Sequence, residues 1–249
     1  MKRLSLFLAM ALAPAFAQSS VEGPWLGLVY DAGQHGVRLV RGIASSATLS
    51  LRAHTADLSI AVASPSGYAL GVEAKTGAAL MITPRGMRQL AGAAQAASRL
   101  AVSPAGNSAA LYFEDALKVQ VFTGLPEAPQ LAREEQLDAA ASALAISDDA
   151  SLLAVAQDAG LAGFRADGGR SPLLPVSGVT GVTFAGSGSD LLAATSDAVW
   201  LIRNGSSTRL MDADHPVGIA ASADGSRVFV AMPSGRVVVS DMNGGIPKP

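Results

Sequence analysis

One local design recurs along this chain: a short apolar strand, a tight turn of Ser, Pro, Asp and Gly, and a second apolar strand. Clear copies begin at Ile60-Ala61-Val62-Ala63-Ser64-Pro65-Ser66-Gly67 and Leu100-Ala101-Val102-Ser103-Pro104-Ala105-Gly106-Asn107. Others begin at Leu144-Ala145-Ile146-Ser147-Asp148-Asp149-Ala150 and Gly218-Ile219-Ala220-Ala221-Ser222-Ala223-Asp224-Gly225, with a degenerate copy at Val182–Gly188. Aligning Ser64, Ser103, Ser147, Ala185 and Ser222 gives steps of 39, 44, 38 and 37 residues, a mean of (222 − 64)/4 = 39.5. A period near forty suits one four-stranded blade of a propeller, is too long for leucine-rich repeats, and lacks the helical pattern of α-solenoids.

The turns have a local chemical cause. Pro presets φ at the first central position, Gly accepts positive φ, and Asp or Ser side chains satisfy turn amides. After each turn comes a nearly continuous apolar run, as in Ala109-Ala110-Leu111-Tyr112-Phe113 and Leu152-Leu153-Ala154-Val155-Ala156, the pattern of a strand covered on both faces. Of the third strands, only Leu117–Phe122 alternates polar and apolar residues, which predicts a half-exposed strand. Small Ala side chains suit inner strands that converge on a central channel. Ala also favours helix, but no Ala-rich stretch keeps helical spacing for long enough to predict one. Residues 92–97 read as a turn of helix or a loop, and 133–138 as a helical turn.

The expected fold is therefore all-β: a propeller of about six four-stranded blades, five to seven being compatible with the count. Trp25–Asp31 and Val37–Arg41, joined by a turn over Gly33–Gly36, read as the outer two strands of a blade. With three strands in the last copy, the terminal blades are expected to be incomplete or shared.

Lys2 and Arg3, an apolar run from Leu4 to about Ala13, and Ala15-Phe16-Ala17 before Gln18 form the layout of a secretory signal peptide. The run is shorter than the roughly 20 apolar residues a membrane span needs, which leaves an anchor helix as the less favoured reading. The expected organisation is residues 1–17 as signal and 18–249 as one domain, located in the periplasm or secreted. Removing Lys2 and Arg3 leaves 18 − 2 = 16 basic against 20 acidic side chains, a net charge of −4. Such a chain offers no electrostatic footprint for nucleic acid. With no cysteine, disulfides, thiol catalysis and cysteine-held metals are excluded. The composition, 49% hydrophobic and 15% charged, argues for a buried core and against disorder.

Candidate chemistry is sparse. Asp212, Asp214 and His215 form the densest local group, just ahead of a blade's first strand, with capping of turn amides as the competing explanation. His35, His54 and His215 are too scattered to predict a metal site, and no cofactor motif, P-loop, G-x-S-x-G elbow or H-E-x-x-H helix occurs. Asp148, Asp149 and Asp224 fall in hairpin turns that account for them. Asn204-Gly205 reads as a hairpin turn, and Trp25, Trp200, Tyr68 and Tyr112 as packing residues before binding ones.

The Ser-Pro-x-Gly and Ser-x-Asp-Gly turns at Ser64–Gly67 and Ser222–Gly225 resemble those of secreted bacterial YVTN/WD40-like β-propeller repeat proteins. Leu26–Asp31 and Gly42-Ile43 are similar to exported acidobacterial propellers of this kind. The resemblance spans roughly residues 25–242 and lacks the Gly-His and Trp-Asp pairs of true WD40 repeats. It implies the fold; the lack of any catalytic motif favours an exported, non-enzymatic binding scaffold of the cell envelope with a protein or glycan partner. A lactonase or other hydrolase acting on a sugar-derived substrate is the alternative.

Overall fold

The computed structural model describes residues 25–43, 45–52, 54–186 and 189–242; the expected signal segment lies outside them. The chain is an all-β ring of six blades, with one 3-10 turn at Ala32–Gln34 among the described residues. Blade 1 holds β1 (Trp25–Asp31), β2 (Gly36–Ile43) and β3 (Ser46–Arg52). Blade 2 holds β4 (Leu58–Ala63), β5 (Ala69–Glu73), β6 (Ala79–Thr83) and β7 (Gly86–Gln89). Blade 3 holds β8 (Arg99–Val102), β9 (Ser108–Phe113), β10 (Lys118–Thr123) and β11 (Gln130–Gln136). Blade 4 holds β12 (Ala143–Ile146), β13 (Leu152–Gln157), β14 (Gly160–Arg165) and β15 (Arg170–Leu174). Blade 5 holds β16 (Gly181–Phe184), β17 (Leu191–Ala194), β18 (Ala198–Arg203) and β19 (Ser206–Asp212). Blade 6 holds β20 (Gly218–Ala221), β21 (Arg227–Ala231) and β22 (Val237–Asp241).

Every neighbouring pair within a blade is antiparallel, so each blade is a meander running outward from the axis. The apolar runs after the turns are the second strands: β9 is buried at all six positions and β17 at all four. Alternate side chains explain how. Ala109, Leu111 and Phe113 pack toward blade 2, and Ala110 and Tyr112 toward blade 4. Three more cores of this kind join consecutive blades, through residues such as Leu39 and Leu58, Leu161 and Phe184, and Leu192 and Val230; with the two flanking β9 they number five among the described residues. None of the five joins blade 6 to blade 1. Trp25, Leu26, Val29, Ile43 and Leu49 of blade 1 and Val217, Phe229 and Val237 in or just before blade 6 are exposed, whereas only Met87 and Leu131 join them from elsewhere among the described residues.

Four expectations are corrected. The strand at Trp25–Asp31 is the innermost of its blade, beside β4 as β4 is beside β8, not an outer one. Ser46–Arg52 supplies a further strand, so the two terminal blades carry three strands each among the described residues. The segment 133–138 is largely β11: Arg133 and Glu135 align with Val121 and Val119 in a ladder, because cross-strand pairing outweighs the helix propensity of Arg, Glu and Gln. The fourth correction concerns β10, which alternates in sequence yet is buried. Gln120, 3% exposed, is accommodated because its Oε1 accepts from the Ala94 amide at 2.9 Å and its Nε2 donates to Glu134 Oε1 at 2.7 Å. A buried amide with both ends satisfied costs little.

Candidate functional site

The ends of the ring differ in character. At one end lie the turns between first and second strands, and they stitch blades together. Tyr68 Oη donates to Gly106 O at 2.8 Å, the Ala105 amide donates to Asp148 Oδ1 at 2.6 Å, and Ser108 Oγ donates to Asp148 O at 2.8 Å. Asp149 accepts from the Ser147 hydroxyl at 2.7 Å and the Ser151 amide at 2.9 Å, which holds its pKa down at about 2. Asp224 repeats this with Ser222 and Ser226, again at about 2. These aspartates are turn residues, as their sequence setting implied. Tyr68 is fully buried, and burial foremost pushes its phenol up to about 12.

The other end carries the connections from each outer strand to the next inner one. There the inner strands β4, β8, β12, β16 and β20 surround a cavity of about 340 Å³ at the channel mouth. Each inner strand pairs on one edge only, so its remaining backbone N–H and C=O groups face the axis. Five residues before each aligned turn position stands Ser59, Ser98, Ser142, Thr180 or Val217. The first four donate their hydroxyls to a second-strand carbonyl: Ser59 to Val72 O (3.3 Å), Ser98 to Tyr112 O (3.4 Å), Ser142 to Ala156 O (3.3 Å) and Thr180 to Ala194 O (3.4 Å). Ser142 Oγ also lies 2.7 Å from Val179 O, across the joint to blade 5. Blade 6 breaks the pattern with Val217, 69% exposed, next to Pro216.

Among the described residues Arg99 is the one charged side chain in this lining. Its Nε donates to Ala141 O at 2.8 Å, which bridges blades 3 and 4 and fixes the guanidinium at the mouth. No carboxylate or histidine of the described residues joins it there. The arrangement can therefore hold an anionic group by the terminal guanidinium nitrogens, beside hydroxyl oxygens, unpaired backbone and an aliphatic flank.

Asp212, Asp214 and His215 occupy the connection from blade 5 to blade 6 at the same end of the ring. Asp212 pairs with Arg209 at 2.8 Å, and Arg209 also reaches Asp197 at 3.2 Å. His215 Nδ1 lies 2.8 Å from Asp214 Oδ1, both side chains largely exposed, while the His215 amide donates to Ser196 O at 2.7 Å. The three share one solvated connection and do not enter the channel lining. His35 caps the 3-10 turn and His54 Nε2 lies 2.8 Å from Thr83 O, so the histidines stay apart. Tyr68 and Tyr112 are core residues; Trp200 is half-buried between blades 4 and 5, and Trp25 lies against Gly67. Asn204-Gly205 turns β18 into β19 with φ of 51° and 76°. Arg99 and the hydroxyl series were not singled out from sequence. The regular offset of five residues before each turn is the signal that marks them.

No family model and no curated protein matches the chain. Among solved structures, a chain of the crystal structure of the mitotic checkpoint complex superposes with a TM-score of 0.61 at 16% identity, over 84% of this chain and 69% of that one. A functionally unknown protein from Desulfotomaculum acetoxidans DSM 771 gives 0.53 at 12% identity, over 71% and 62% respectively. At such identities the likeness is one of fold.

Proposed function

We propose that this chain is an exported, non-enzymatic binding scaffold of the cell envelope that holds a protein or glycan partner at the channel mouth. The observation that carries the reading is Arg99: a cation anchored by its Nε to the neighbouring blade, in a lining with no counter-charge among the described residues. Such a guanidinium is matched by a carboxylate or another anionic group brought by the partner. Around it, satisfied hydroxyls and aliphatic residues supply shape and apolar contact. Acid–base hydrolysis would call for carboxyl or imidazole groups meeting at one point, which the described lining does not provide; this supports the scaffold over the lactonase reading. Function resides in such a site and is not carried by the propeller fold itself.

The test is parallel affinity capture from envelope extract with the wild-type chain, Arg99→Ala and Arg85→Ala. Arg85 lies in the β6–β7 turn at the opposite end of the ring. A charge-assisted hydrogen bond contributes about 1.5–3 kcal/mol, which is roughly 10- to 100-fold in affinity. The expected result is a stoichiometric partner retained by wild type and Arg85→Ala and lost with Arg99→Ala. Equal retention by all three would sink the channel-mouth assignment. N-terminal sequencing of the chain recovered from the envelope checks export, with Gln18 as the expected first residue.

A further inference from the structure

The channel mouth presents three kinds of group, and each suits a different part of one ligand. The first is the Arg99 guanidinium. Ala141 O holds its Nε at 2.8 Å, so the two terminal nitrogens remain as a fork of donors for a carboxylate.

The second is a ring of backbone groups one residue deeper. The amides of Ser64, Ser103, Ser147, Ala185 and Ser222, at the aligned turn positions, donate to second-strand residues Tyr68, Ser108, Leu152, Asp190 and Arg227 at 2.7–3.0 Å. Antiparallel alternation counted back from them turns the N–H and C=O of every residue three positions earlier toward the axis. Those residues are Ala61, Leu100, Leu144, Val182 and Ile219, and all five line the cavity. Each brings one donor and one acceptor.

The third is Val217, 69% exposed at the position where blades 2–5 carry a hydroxyl. It offers an aliphatic surface at the mouth itself. Among the described residues the lining holds no aromatic ring, the face on which a sugar would stack. The cavity, about 340 Å³, lies at the small end of ligand sites, which run from about 300 to 1,000 Å³. That size admits the end of a chain rather than a folded surface.

We propose that the mouth takes the carboxyl terminus of a peptide whose last residue is aliphatic, which rests on the channel-mouth reading given under Proposed function. The terminal carboxylate sits on the Arg99 fork, the last peptide units exchange hydrogen bonds with the backbone ring, and the last side chain lies against Val217. Other anions use only part of this surface. A free aliphatic acid leaves the backbone ring without partners, and a sugar acid leaves Val217 without one. An internal aspartate brings chain on both sides of its carboxylate into a space sized for one end.

The experiment is an NMR titration of the full chain, of Arg99→Ala and of Val217→Ser. The main probe is an N-acetylated tetrapeptide of three alanines and a final leucine, with a free carboxylate. Its C-terminal amide, a tetrapeptide amide with an internal aspartate, hexanoate and glucuronate are the comparisons. The buried amides of Ala154 and Val155 report whether each variant remains folded. The leucine acid should shift the Leu144, Val182 and Ile219 amides and bind at least tenfold more tightly than any comparison. Arg99→Ala should bring it down to the level of its amide. Val217→Ser should weaken it about fourfold, the worth of one buried methylene. Acid and amide binding alike would overturn the proposal, as would hexanoate, glucuronate or the internal aspartate matching the leucine acid. An Arg99-dependent envelope partner alongside either result would refute the chain-end ligand and leave the scaffold reading standing. Tight, Arg99-dependent binding of the acid with an empty envelope capture would uphold the ligand and sink the envelope role.

Discussion

Replacing Tyr68 with Phe removes one oxygen from the joint between blades 2 and 3 and reports on two quantities at once. The phenol is fully buried and donates to Gly106 O at 2.8 Å, so Tyr68→Phe loses this bond and leaves a carbonyl short of a donor. The cost at pH 8 is about 1–2 kcal/mol, or roughly 2–8 °C in Tm for a domain of this size. The second quantity is its pH dependence. Burial first, with the nearby charge of Glu127 adding and a hydrogen bond from Ser64 opposing, raises the phenol from 10.0 to about 12. A raised acid pKa means that the native state holds the proton longer than the unfolded one. The stability from the neutral phenol is therefore complete below pH 10 and is lost as the pH climbs through 10 to 12. At pH 11, one unit above the unfolded value and one below the folded value, the loss is about 1.4 kcal/mol. Urea unfolding of wild type and Tyr68→Phe at pH 8 and pH 11 separates this from all other alkaline titrations, since those cancel in the difference. Wild type should be the more stable at pH 8, and its advantage should shrink by about 1.4 kcal/mol at pH 11. A constant or growing advantage would refute the assignment of a buried, neutral phenol donating across the joint.

Two further expectations rest on the same end of the ring. Gly106 has φ +74° and a Cβ there would collide with the hydroxyls of Ser64 and Ser66, whereas Gly205, φ +76°, has nothing within 4 Å; Gly106→Ala should cost about 2–4 kcal/mol and Gly205→Ala about 1 kcal/mol by urea unfolding, and equal costs would contradict the described packing. Carboxyl NMR titration should find Asp149 and Asp224 near 2, so their hydrogen-bonded stabilisation persists above the ordinary value of 3.8 and is lost as the pH falls toward 2; Ser147→Ala should raise Asp149 alone.

What could be read in advance was local. Pro65, Gly67, Gly106 and Asp224 act on their own turns, and the run Ala109–Phe113 is covered on both faces wherever its blade stands. The helical reading of 133–138 failed because propensity is a property of a segment, while β11 exists through its pairing with β10. Gln120 misled for a related reason: its polarity predicts exposure, but the groups that satisfy it, Ala94 and Glu134, come from elsewhere in the chain. The candidate site was the least legible. Asp212, Asp214 and His215 are neighbours in sequence and lie together on an exposed connection, but Ser98, Ser142, Thr180 and Arg99 come together only when the inner strands β8, β12 and β16 meet around the axis.

The sequence alone determined that the chain is an all-β repeat of blade-length units, because strand periodicity, turn residues and a constant step are encoded residue by residue. Tertiary structure decided the rest. It placed Trp25–Asp31 innermost and, among the described residues, gave each terminal blade three strands and the joint between blades 6 and 1 no shared core. It also set Arg99 at the mouth of the channel. The physical reason is that ring closure and channel lining depend on contacts between segments some forty residues apart or more, and no property of a single segment records them.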